Sequence, residues 1–122
     1  MKNQKDSGNR VLLVEDEPLT VEALASILEL EGYEIEAAYD GGTGLDMLRS
    51  APPPCIVLLD LDLPIINGRE FLRRQKRDPR IANIPVIVIT GSSSLAAPGA
   101  SAVLSKPVDV PKLLELMADY CQ

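Results

Sequence analysis

Histidine and tryptophan are absent from this chain, phenylalanine occurs once and cysteine twice among 122 residues. The missing histidine excludes the HExxH zinc motif, Ser-His-Asp and Cys-His nucleophile systems, and any phosphohistidine formed on this chain. Carboxylates, hydroxyls and lysines must carry any chemistry. The two cysteines have no framework spacing. Cys55 lies in a predicted buried strand and Cys121 at the chain end, so both read as free thiols in a reducing compartment. No apolar run approaches the roughly 20 residues of a membrane span, and the polar opening from Met1 to Asn9 lacks an apolar signal core. A soluble, cytoplasmic protein without membrane contact is expected. An excess of positive charge is also lacking: a net charge of −6 and a pI near 4.6 argue against direct nucleic-acid binding, which needs clustered Lys and Arg.

What is present is an alternation of short apolar runs with helical patterns of ten or more residues, the sign of parallel βαβ units in one domain. Five strands are predicted: Val11 to Val14, Tyr33 to Ala38, Cys55 to Leu59, Val86 to Ile89 and Ala102 to Ser105. The first, third and fourth are nearly continuous Val, Ile and Leu, as central strands covered on both faces require. A first helix is expected from Pro18 to near Gly32, with Val21, Leu24 and Leu28 inward. A second follows Asp40-Gly41-Gly42, marked by Leu45 and Leu48, and Pro52-Pro53-Pro54 ends it. The third runs from about Arg69 to Asp78. The last has Asp109 as N-cap and Leu113, Leu116, Met117 and Tyr120 as its stripe. Between Thr90 and Lys106, Pro98 and Gly99 leave room for at most one or two turns. Residues 1–9 read as a flexible tail and 10–122 as the folded domain.

Glu15-Asp16 and Asp60 each follow a buried strand. If those strands are neighbours, three carboxylates meet at the sheet edge where open α/β sheets bind ligands. Alone, an acidic pair more often marks a solvated turn or a helix cap. Carboxylates about 4 Å apart repel by roughly 4 kcal/mol per pair at an effective dielectric near 20, a cost that a cation relieves. Oxygen donors without histidine favour Mg²⁺, with Mn²⁺ as substitute. Lys106 ends the fifth strand and Thr90 the fourth. Singly they read as a surface lysine and ordinary turn chemistry.

Together these residues carry a resemblance. Val11-Leu12-Leu13-Val14-Glu15-Asp16-Glu17-Pro18, Val57-Leu58-Leu59-Asp60-Leu61-Asp62-Leu63-Pro64 with Asn67-Gly68, Thr90-Gly91 and Lys106-Pro107 resemble a CheY-like response-regulator receiver domain over residues 10 to 121. The resemblance implies a flavodoxin-like, doubly wound five-stranded parallel sheet of order 2-1-3-4-5. It implies that Asp60 accepts a phosphoryl group from a phosphohistidine on a sensor histidine kinase or histidine phosphotransfer protein. Asp16, Asp60 and the backbone carbonyl of Asp62 would ligate Mg²⁺, with Glu15 acting through water. Lys106 and Thr90 would hold phosphoryl oxygens, and the Lys106-Pro107 bond would be cis. Such a domain catalyses only its own phosphotransfer and dephosphorylation and signals to a downstream protein target through altered contacts.

The chain departs from that family in two places. Val103 stands where an aromatic is common three residues before the lysine. The Thr90 to Lys106 segment is about six residues short, more than one and a half helical turns, so the fourth helix should be truncated or missing. Two other readings compete: a receiver-like adaptor that does not use phosphorylation, and a haloacid dehalogenase-type phosphatase suggested by Asp60-Leu61-Asp62. Gly41-Gly42-Thr43-Gly44 reads as a loop and helix entry, since no phosphate-loop pattern follows. Gln75 reads as a solvated edge residue, and Arg69, Arg73, Arg74, Lys76, Arg77 and Arg80 as a solvated basic face rather than a docking patch.

Overall fold

The computed structural model describes residues 8–50, 52–91 and 97–121. Its strands are β1 (Arg10–Val14), β2 (Glu34–Ala38), β3 (Ile56–Asp60), β4 (Val86–Thr90) and β5 (Ala102–Ser105), and its helices are α1 (Pro18–Leu30), α2 (Gly41–Arg49), α3 (Gly68–Arg77) and α4 (Val110–Ala118). All strand pairs are parallel, in the order β2-β1-β3-β4-β5. This is the flavodoxin-like order that the resemblance implies. Among the described residues no helix lies between β4 and β5.

Alternating side chains of each strand point to opposite faces, and the two faces build two cores. Leu12, Val14, Val57 and Leu59 meet Leu45, Leu48, Phe71 and Leu72 from α2 and α3. Val11, Leu13, Ile56 and Leu58 meet Leu24, Leu28, Leu113 and Met117 from α1 and α4. β3 and β4 are buried along their whole length, whereas β2 exposes Glu34 and Glu36 as an edge strand. Arg10 answers both, with its Nη2 2.7 Å from Glu36 Oε1, and the charged edge discourages pairing with other chains.

Gly32 stops α1 and Asp109 caps α4 as the sequence predicts, and the other helix starts are capped as well. α1 closes in a full Schellman turn: the N–H of Gly32 donates to Glu29 O and that of Tyr33 to Leu28 O, with Gly32 at φ +95°. Asp40, Asn67 and Asp109 cap α2, α3 and α4 by accepting from the N–H groups of Thr43, Glu70 and Lys112. Of the expected tail, residues 1–7 lie outside the described residues. Asn9 is tied in, its side chain donating to Gly32 O and its carbonyl accepting from Glu34 N.

Four expectations change. Cys55 and Cys121 are joined in a disulfide rather than free. In a parallel sheet every strand starts at the same edge, and α4 runs back so that its end returns there. The start of β3 and the end of α4 thus meet although 66 positions separate them. Gln75 is fully buried, not at a solvated edge, and its Nε2 donates to Ile81 O and Ile84 O at 2.9 Å each, fastening the turn that feeds β4. Gly41 to Gly44 form the entry of α2, as read, but without the loop. Gly44 packs so closely that a Cβ there would lie 3.0 Å from Val14 Cγ2. Tyr120 falls beyond α4 and is exposed, leaving Leu113 and Met117 as its buried stripe.

Candidate functional site

The sheet reverses direction between β1 and β3: β2 is added on one side of β1 and β3 on the other. The loops leaving these two strands therefore diverge and open a crevice at their carboxyl ends. Register decides what stands there. Val14 pairs with Leu59, so the next residues, Glu15 and Asp60, sit side by side. Thr90 pairs with Ser105, so Lys106 follows one step beyond, its N–H donating to Thr90 O at 2.8 Å.

Carboxylate oxygens of Glu15, Asp16 and Asp60 all lie within 4.8 Å of one another. Glu15 and Asp60 are buried and Asp16 is exposed. Each buried carboxylate is held. Glu15 Oε2 accepts from Glu17 N at 3.1 Å, and Asp60 Oδ1 accepts from Asp62 N at 3.0 Å. Lys106 Nζ lies 3.4 Å from Glu15 Oε1 and 3.5 Å from Asp60 Oδ2. The Lys106-Pro107 bond is cis. Beneath the ammonium, a cavity of about 200 Å³ is walled by Leu13, Leu59, Ile89 and Pro107.

Burial, reinforced by the charge of Asp60, pushes the Glu15 carboxyl above its usual range, although the Glu17 N–H and Lys106 oppose the rise. Burial also works against the Lys106 charge, but Asp60 and Glu15 outweigh it and hold the ammonium above its ordinary value. One ammonium among three carboxylates leaves two negative charges over, which one divalent metal ion would balance. Hard oxygen donors at one partly open edge fit Mg²⁺, which binds through few carboxylates and keeps water.

The β3–α3 loop fixes Asp60 from below. Gly68 N donates to Leu61 O at 2.9 Å, and a Cβ on Gly68 would stand 2.5 Å from Leu61 Cα and 2.8 Å from Asp60 O. Only glycine permits this approach. The sequence marked Asn67-Gly68 as part of a motif but not this close contact. In the same loop Ile65 is fully exposed at φ +64°, which no pattern in the sequence signalled.

The structure thus brings Glu15, Asp16, Asp60 and Lys106 together, with buried Thr90 at the adjacent strand end. Asp62 joins through its N–H, while its side chain is exposed and outside the carboxylate cluster. That placement gives no support to the phosphatase reading, which needs the second carboxylate as a proton donor. Val103, at the position common for an aromatic, packs at the edge of the α2–α3 core.

Comparison with known proteins agrees with this geometry. The response regulator receiver domain family matches residues 11–118. The polar-differentiation response regulator DivK of Brucella anthropi is 31% identical over 116 residues, covering 90% of this chain and 94% of that protein. A CheY-like response regulator receiver domain protein from Methanospirillum hungatei superposes with a TM-score of 0.80 at 33% identity, covering 91% of each chain. The response regulator TrrA from Thermotoga maritima, solved in complex with Mg²⁺ and BeF, gives a TM-score of 0.82 at 28% identity over 92% of this chain and 98% of that one. With its strand order, its carboxylate cluster and a match across nearly its whole length, this chain belongs to the response regulator receiver domain family.

Proposed function

We propose that residues 10–122 form a two-component receiver in which Asp60 accepts a phosphoryl group from a phosphohistidine on a sensor histidine kinase or phosphotransfer protein. The observation that carries this is the position of Asp60, a buried carboxylate with one oxygen fixed by Asp62 N and the other facing Lys106. An oxygen of Asp60 attacks phosphorus in line, the O–P bond forms as the donor's P–N bond breaks, and the freed imidazole takes up a proton. Lys106 compensates charge that builds on the phosphoryl oxygens, and the Thr90 hydroxyl donates to one of them. Asp16, Asp60 and the Asp62 carbonyl would hold Mg²⁺ or Mn²⁺, with Glu15 acting through water. When bound, the ion supplies neutralisation of the acidic cluster and of the incoming phosphoryl group.

Apolar surface beside the crevice suits a protein donor: Leu19 is exposed at the start of α1, and with Thr20, Ile27 and Val108 it lines an open groove. The domain catalyses no reaction beyond its own phosphorylation and dephosphorylation and passes the signal to a protein target. We place it in the cytoplasm. Among the described residues no helix is long and apolar enough to cross a membrane. Burial of both cysteines of the Cys55–Cys121 bridge limits attack by soluble thiols on the folded protein.

Intact-mass measurement after incubation with acetyl phosphate and Mg²⁺ tests this reading. Wild type should gain one phosphoryl adduct, and Asp60→Asn none. An adduct that persists in Asp60→Asn would move the acceptor elsewhere.

A further inference from the structure

Half of the chain's twelve basic residues fall between Arg69 and Arg80, against two acidic residues there, in a protein of net charge −6. The structure places four of them, Arg69, Arg73, Lys76 and Arg77, around a cavity of about 550 Å³, whose apolar side is Leu72 and Pro98. This groove lies beside α3 and is bounded across from it by the Pro98-Gly99 turn of the short β4–β5 connection. Gly99, at φ +96°, sits against the Lys76 stem, where a Cβ would come 3.3 Å from Lys76 Cε.

Arg69, Arg73 and Arg77 follow one another at four-residue intervals, so they form a row rising about 6 Å per step and about 12 Å in all. Arg73 directs its Nε to Glu70 and is still 62% exposed, and Lys76 donates to Ala82 O. A compact anion needs converging cations. A straight row beside an apolar floor matches an elongated ligand whose carboxylates recur at the same spacing along an apolar stripe. A helix carrying acidic residues at i, i+4 and i+8 beside leucines has that form.

We propose that this groove docks an acidic amphipathic helix of a partner protein. The interaction does not depend on Asp60, so it stands or falls separately from phosphoryl transfer. Duplex nucleic acid is the poorer match, because the remainder of the chain is strongly acidic.

The test uses the full chain and a fluorescent helical peptide of glutamates and leucines with that spacing, its lysine-for-glutamate counterpart, and a short DNA duplex. The acidic peptide should bind and shift the amide resonances of Leu72, Arg73, Lys76, Arg77 and Gly99. Arg73→Glu with Arg77→Glu should weaken it about tenfold, as expected for reversing two exposed ion pairs. Arg74→Glu makes the same kind of charge change on the same helix outside the groove and should alter binding less than about threefold. Circular dichroism establishes that each variant is folded. Three results would overturn the proposal: no shift on α3, equal weakening by Arg74→Glu, or tighter binding of the basic peptide or the duplex. A groove already filled by another part of this chain would give the first of these.

Discussion

Replacing Ile65 by asparagine should make the protein more stable. Ile65 holds φ +64°, the left-handed region that costs an L-residue roughly 1–2 kcal/mol, and β-branching adds to the crowding. Its side chain is fully exposed, so no buried apolar area is lost when it is removed. Asparagine visits this region far more readily, and the Asn67 cap of α3 and the Asp62 contact to Asp60 are left intact. Most of the strain should be recovered, about 1 kcal/mol. With an unfolding entropy of about 2.1 cal/mol/K per residue over this length, that gain raises Tm by ~4 °C. Urea denaturation and calorimetry measure it directly. Ile65→Val keeps the β-branch and should change little, while Ile65→Gly gains less than asparagine because glycine loosens the unfolded chain. Equal stability of Ile65→Asn, Ile65→Val and wild type would refute the claim that this turn is strained.

Gly68→Ala should cost about 3 kcal/mol, since the new Cβ meets Leu61 and Asp60 backbone that cannot rotate away, and it should slow phosphorylation by displacing Asp60. A urea midpoint close to wild type would contradict this. Gln75→Leu should cost about 2 kcal/mol by removing both hydrogen bonds to Ile81 O and Ile84 O, partly offset by loss of the unpartnered Oε1. Gln75→Glu should be worse, because a carboxylate has no N–H to give those carbonyls. Cys121→Ser should lose about 4 kcal/mol, the chain-entropy value for a bridge closing a segment of this length, and wild type unfolded and refolded in dithiothreitol, where the bridge is reached in the unfolded chain, should fall to the same level. Two thiols titrating in native, unreduced protein would refute the bridge. Asp78 is held well below the usual carboxylate range, first by its hydrogen bonds from Arg80 and then by Arg49. A depressed folded pKa gives stability that is complete above about pH 4–5 and fades as pH falls through the folded value. The advantage of wild type over Asp78→Asn should therefore shrink between about pH 4 and pH 2, and a difference constant over that window would count against the pairing.

What the sequence made legible were features written within a few residues: the strand runs, the Asp109 cap, the Gly32 stop, and the carboxylates at the ends of β1 and β3. The carboxylate cluster was legible too, because one topological rule converts strand ends into neighbours and the register of Val14 with Leu59 does the rest. The features that stayed hidden depend on chain closure. Nothing near Cys55 or Cys121 says that α4 returns to the edge where β3 begins. Gln75 looks like an exposed polar residue until the turn from Ile81 to Ile84 closes over it and supplies two carbonyls. Gly68 carries its constraint in the approach of Leu61, seven positions earlier, and Ile65 its strain in the path the loop must take between them.

The basic residues of α3 belong to the same class. In sequence they are a polar helix face. In the fold four of them border a groove that the Pro98-Gly99 turn closes on the other side. The site at Asp60 and the α3 groove are thus products of two different facts about one fold. Strand order gathers the carboxylates, and the helical spacing of α3 lines up its basic residues beside the Pro98-Gly99 turn. A substitution in the groove should therefore change partner binding without changing the Asp60 adduct, and Asp60→Asn should do the reverse. Loss of both functions in either variant would mean that the β3–α3 loop couples them.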